Sequence, residues 1–171
     1  MLTTTQRRAR LRDLLANAFG PKTGGELAAE LGVTRQVIVQ DIAVLRAAGE
    51  EIIATPRGYT INRHYPGQTG TIACQHGMAR VQEELYTIVD LGGEVVDVIV
   101  EHPIYGQITG SLHLTCRRDV DAFLADLEKG DARLLSSLTD GVHLHTVAVR
   151  KSDDLDRIRQ ELADRGLLLG E

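Results

Sequence analysis

Tryptophan is absent from this 171-residue chain, and its other aromatic residues amount to two phenylalanines and four tyrosines. The core must therefore be built from aliphatic side chains, and stacking of bases on aromatic rings is a poor basis for any nucleic-acid binding. Cysteine is nearly as scarce. Cys74 and Cys116 form neither a Cys-x-x-Cys nor a zinc-finger spacing, which predicts buried free thiols in a reducing compartment. No apolar run approaches the roughly 18 to 20 residues of a membrane span. Met1 to Gln6 run into arginines without the apolar stretch of a signal peptide, so a cytoplasmic protein with no membrane partner is expected. Equally missing are an HExxH helix, a nucleophile elbow and a phosphate-cradling glycine loop, which argues against an enzyme.

What is present is unevenly distributed. Residues 1–64 carry nine Lys+Arg against six Asp+Glu, a formal +3, whereas residues 65–171 carry ten against eighteen, a formal −8. Opposite signs suggest a basic module for an anionic partner joined to an acidic module with another task. Histidine divides the same way: His64 lies in the first part, and His76, His102, His113, His143 and His145 lie in the second.

In the first part, Thr5 to Phe19 reads as a helix with an apolar stripe of Leu11, Leu14, Leu15 and Ala18, stopped by Gly20-Pro21. A short helix follows Thr23, Gly32-Val33-Thr34 breaks it, and a third helix runs from Thr34 to Gly49 with Val37, Ile38, Ile42 and Leu45 inward. A short helix, a three-residue turn with glycine and a second helix opened by polar residues is the helix-turn-helix pattern. Thr34, Arg35, Gln36 and Gln40 fall on the early, outward turns of the third helix, where Arg can fork onto guanine and Gln onto adenine. Two short strands around Pro56-Arg57 read as a β-hairpin wing, with Arg57 at its tip for phosphate or the minor groove. Residues 1–64 are thus expected to be a winged helix-turn-helix domain.

Tyr65 to Gly70 has the Pro, Gly and polar content of a linker. Beyond it, residues 70–171 read as strand, helix, strand, strand, helix, strand and a final helix. This is the ferredoxin-like, split βαβ order of an α+β domain. Its last strand contains Val142-His143-Leu144-His145-Thr146. Strand alternation sends Val142, Leu144 and Thr146 to one face, expected to be the buried one, and both imidazoles to the other. A His-x-His pair supplies two adjacent corners of a coordination sphere. His76 closes the first strand of this domain and Glu84 lies two turns into the next helix, so His76, Glu84, His143 and His145 form a candidate ligand set for a late transition metal. Bland alternatives stand beside each residue: exposed sheet histidines, His76 as a turn hydrogen-bonder, and Glu84 as one of two solvated carboxylates with Glu83. His113 reads as an exposed strand residue, and His102, before Pro103, as a turn cap or ligand contact.

TRQVIVQDIAVLR followed by EIIATPRGY, then IVDLGGEVVDVIVEHPIYGQI, RRDVDAFL and LSSLTDGVHLHTV, resemble the NiaR family of transcriptional repressors, a winged helix joined to a three-histidine (3H) domain. The resemblance covers nearly the whole chain. It departs at Leu134-Leu135, where a proline is expected before Ser136, and at Glu50, where an apolar or aromatic residue is usual. It implies a homodimeric repressor of NAD biosynthesis and niacin uptake genes that binds operator DNA with nicotinic acid as co-repressor. It also implies one divalent transition metal per chain, nickel, zinc or iron, on His76, Glu84, His143 and His145. For the nicotinate carboxylate, Arg80, Arg117 and Arg118 are candidate partners, with His102 a further ligand contact. A metal-sensing repressor with the ion itself as effector is the alternative, and a metallohydrolase using Glu83 as general base is a third.

Overall fold

The structure, a computed structural model, describes residues 2–61 and 67–170. The chain separates into two compact units, residues 1–64 and 65–171.

The first unit consists of α1 (Thr4–Ala16), α2 (Gly24–Leu31), α3 (Arg35–Ala47) and a hairpin of β1 (Ile52–Thr55) and β2 (Gly58–Ile61). Threonine opens each helix from outside. Thr3 and Thr23 each form a reciprocal capping box, with Gln6 and Glu26, while Thr34 accepts from the Val37 amide. Leu11, Leu15, Leu27, Ala28, Ile38, Ile42 and Ile52 close the core, an aliphatic one as the lack of aromatics requires. The first helix is shorter than its apolar pattern suggests. Asn17 folds its side-chain amide back onto the Asp13 carbonyl, ending α1 at Ala16, so Ala18 lies beyond the helix and Phe19 is fully exposed.

The second unit contains β3 (Gln68–Gln75), a 3-10 turn (Met78–Arg80), α4 (Val81–Asp90), β4 (Glu94–His102), β5 (Gly106–Leu114), α5 (Arg117–Lys129), a second 3-10 turn (Leu135–Thr139), β6 (Val142–Val149) and α6 (Ser152–Asp164). Gln68 to Gly70, expected in the linker, already pair with Val149 to Val147 in the sheet; Tyr65 and Pro66 lie outside the described residues. The class is α+β and the split βαβ is present, because β3 and β4 flank β6. The antiparallel order is β3-β6-β4-β5, which puts the domain's first strand at an edge and its last inside, whereas the ferredoxin-like permutation leaves the last strand at an edge. Interior placement suits β6, whose final Val147-Ala148-Val149 is buried throughout. Ile72, Val95, Leu112, Leu114, Val147 and Val149 meet Leu85, Ile88, Val120, Ile158 and Leu162 from the helices in one core.

Candidate functional site

The face of β6 is the reverse of the one its alternation suggests. His143 and His145 point with Val147 and Val149 toward the helix layer and are each 3% exposed, while Val142, Leu144 and Thr146 are half-buried on the opposite face. Burial of two imidazoles requires partners, and pairing with β3 supplies the first. Cys74 lies opposite His143 and Ile72 opposite His145, and the β3–β6 ladder extends one residue further, where the His76 amide donates to the Gly141 carbonyl at 3.3 Å. His76 therefore shares the inward face. Glu84, in the first turn of α4, is 1% exposed and meets all three rings from the helix side; a helix start is a favourable place for negative charge.

The hydrogen bonds fix which nitrogens face the carboxylate. Nδ1–H of His76 donates to the Gly77 carbonyl at 3.1 Å, that of His143 to Gly141 at 2.8 Å and that of His145 to Asp97 at 2.6 Å. A carbonyl oxygen only accepts, so each Nδ1 carries a proton and each Nε2 is the turned-in nitrogen. All three Nε2 atoms converge on one carboxylate: His76 on Oε2, and His143 and His145 on Oε1 at 3.1 and 3.2 Å. The rings of His76 and His145 each stand nearly perpendicular to that of His143, with centroids 4.9 Å apart.

Electrostatics follow from this convergence. Burial disfavours charge on His76 and His145, but the hydrogen bond and charge of Glu84 outweigh it and hold both above the ordinary imidazole value. Burial likewise opposes ionisation of Glu84, yet His145, His143 and His76 hold its carboxyl well below the usual range. Three imidazole nitrogens and a carboxylate, each Nδ1 braced by a backbone carbonyl, is the donor chemistry of a late transition-metal site. The residues fit such an ion.

Cys74 belongs to the same place. Its Sγ lies within 4.8 Å of donor atoms of Glu84 and His143, and burial together with the Glu84 charge pushes its thiol up, so it stays protonated. Cys74 is thus a buried free thiol as expected, whereas Cys116, also free, is exposed ahead of α5. Sequence reading overlooked Cys74 as a neighbour of the cluster, although its position two residues before His76 on one strand carries the signal.

The other candidates are dispersed. Glu83 is paired with Arg80 at 3.0 Å and with Arg165, not with the histidines. Arg80 also donates to the Arg165 carbonyl, and Arg117 forks onto Asp90 while stacking over Tyr86. Arg118 is exposed on α5. His102 accepts from the Ile104 and Tyr105 amides and so caps the β4–β5 turn. His113 is not a plain strand residue: it has φ of +52° where the β4–β5 pairing shifts register, and its Nδ1 lies 3.0 Å from Glu94. A cavity of about 270 Å³ does open beside the cluster, lined in part by His76, Met78, Arg133, Leu134 and Ser136. None of Arg80, His102, Arg117 and Arg118 lines it.

In the first unit, Thr34, Arg35, Gln36 and Gln40 are all exposed at the start of α3. Arg57 occupies the two-residue turn of the hairpin but is half-buried, with its Nε enclosed. Asp41, on the inner side of α3, is held by Arg7 and Arg8 of α1 at 2.6 and 2.8 Å, two ion pairs on one buried carboxylate that the apolar pattern does not reveal.

Fold and site together define a helix-turn-helix DNA-binding regulator with a histidine-rich second domain: residues 7–60 match the helix-turn-helix family and residues 69–171 match the 3H domain family. Over 170 residues the chain is 41% identical to the probable transcription repressor NiaR of Thermotoga maritima, covering 98% of this chain and 97% of that one. Over 173 residues it is 42% identical to the transcription repressor NadR of Bacillus subtilis, covering 98% and 96%. The chain belongs to this NiaR/NadR family of transcription repressors. Among the described residues no helix is long and apolar enough to cross a membrane.

Proposed function

We propose that the protein is a cytoplasmic, homodimeric repressor of NAD biosynthesis and niacin uptake genes, with nicotinic acid as co-repressor and one divalent transition metal in its second unit. Thr34, Arg35, Gln36 and Gln40 would read operator bases, and Arg57 would contribute at the wing. His76, Glu84, His143 and His145 would hold the metal, which supplies charge and fixed geometry at the centre of the unit.

The observation that carries the metal reading is the convergence of three Nε2 atoms on Glu84 while every Nδ1–H is engaged by a backbone carbonyl. Ring orientation is thereby set before any ion arrives, which lowers the cost of binding one. Magnesium and calcium prefer all-oxygen sites, so nickel, zinc or iron is the expected class.

A co-repressor acts only through a difference in affinity between DNA-competent and incompetent arrangements, typically about 1–3 kcal/mol of coupling. The test is fluorescence-anisotropy titration onto the promoter of a niacin-uptake gene at fixed salt, varying nicotinate and metal independently. Binding that tightens about 5- to 150-fold with nicotinate and loses that response on chelation supports the proposal. Affinity that follows metal and ignores nicotinate would establish the second reading, a metal sensor, which the same donor set supports.

A further inference from the structure

The outward face of α3 is not built like a solvated helix surface. Ile38, Asp41 and Ile42 are buried on its inner side, and Leu45 packs against the same core. Between the exposed Arg35 and Arg46, the residues left outside are Gln36, Val39, Gln40, Ala43 and Val44, and none of them is charged. A helix face meant for water alone is normally rich in charged and polar residues. Here Val39 and Val44 are 38% and 43% exposed, two branched apolar side chains turned to solvent. Val39 and Gln40 follow Gln36 by three and four residues, the spacing of neighbours on one helix face.

This face is held at a fixed rotation about the helix axis. Arg7 and Arg8 grip Asp41 from α1, Ile38 and Ile42 fill the core beneath, and Thr34 caps the first turn. In a unit of formal charge +3, an uncharged stripe between two arginines suits the floor of a DNA major groove, with the arginines toward the phosphates at its rims. On that floor adenine offers N7 and N6–H to the fork of a glutamine, and thymine is the base that presents an apolar group, its 5-methyl.

We infer that Val39 is a specificity-determining residue that packs against the 5-methyl group of a thymine in each half-site, while Gln36 or Gln40 forks onto a neighbouring adenine. The inference rests on the reading that the start of α3 contacts operator bases. Cytosine, guanine and adenine show no methyl in the major groove, so the contact discriminates by an apolar surface that hydrogen bonds from the glutamines do not supply. Ala43, one turn beyond Val39 on the same face, is small enough to let the helix approach the bases. One methyl group removed from water corresponds to roughly fourfold in affinity.

The test uses the full chain, with nicotinate and nickel both present, and the duplex it selects from a random pool. Thymines of that duplex are replaced one at a time by deoxyuridine, which lacks only the 5-methyl group, and each duplex is titrated by fluorescence anisotropy at fixed salt with wild type and Val39→Ala. The expected result is a thymine in each half-site whose replacement weakens wild-type binding roughly fourfold, and whose replacement leaves binding by Val39→Ala unchanged. A selected site without thymine, or a wild type indifferent to every replacement, overturns the inference and leaves base reading by the glutamines intact. The same loss in Val39→Ala as in wild type overturns Val39 as the residue that reads the methyl. A pool that yields no preferred sequence removes base reading by α3, and this inference with it.

Discussion

Asp41 and Glu84 are each only 1% exposed, and the contrast between them shows what single residues do here. Asp41 joins helices: burial pushes its pKa up, but the hydrogen bonds and charges of Arg7 and Arg8 outweigh that and hold it below the ordinary value. A carboxyl depressed in the folded state adds stability above its unfolded value of about 3.9, and that stability is lost as pH falls through the folded value. The first unit should accordingly loosen on acidification below about pH 4. Asp41→Ala should cost it roughly 1.5–3 kcal/mol at neutral pH, read from hydrogen exchange of amides in α1 and α3; unchanged exchange would contradict this. Glu84 joins imidazoles instead, and nothing local separates it from Glu83. Their difference is set by the helix face, which turns Glu84 to the sheet and leaves Glu83 with Arg80 and Arg165. The spacing of His76, Glu84, His143 and His145 was legible in the sequence. The inward turn of the two β6 histidines was not, because Val142, Leu144 and Thr146 look the better candidates for burial until Glu84 and the carbonyls of Gly141 and Asp97 are in place to satisfy the rings.

At the scale of elements, caps and breaks were readable because they are local: Thr23 with Glu26 opens α2, Thr34 opens α3, and Pro56-Arg57 turns the hairpin. Strand order was not, since it depends on pairings far apart in sequence that no periodicity records. The β1–β2 hairpin also gains a partner that the sequence did not announce, as Lys22 and Tyr59 exchange backbone hydrogen bonds at 2.9 and 2.8 Å. Gly58 permits that approach. Its φ is +124°, and a Cβ there would sit 2.4 Å from the Lys22 carbonyl oxygen, in backbone that cannot step aside without breaking the bridge. Gly58→Ala should destabilise the hairpin by about 1–3 kcal/mol, measured as a lower urea midpoint for the first unit, whereas an unaltered midpoint would show that the bridge is dispensable. Gly141, with φ of +86° and the His76 carbonyl 2.6 Å from its hypothetical Cβ, holds the corresponding place beside the histidines.

For the whole molecule, the division of charge is the clearest sign of division of labour. The basic unit presents the exposed start of α3, and the acidic unit gathers three of its five histidines around one carboxylate. The family could be recognised from motifs spread along the chain. The cavity with Arg133 could not, because it forms only when Arg133, Ser136 and Gly141, distant in sequence, are brought beside His76 and Met78. Regulation as proposed rests on the metal centre, so X-ray absorption spectroscopy at the edge of the metal carried by the purified protein is the most direct test. One ion per chain with a first shell of nitrogen and oxygen only, and imidazole scattering beyond it, is the predicted result. A sulfur in the first shell would place the ion on Cys74, and protein that takes up no transition metal would remove the centre altogether; either would contradict the account.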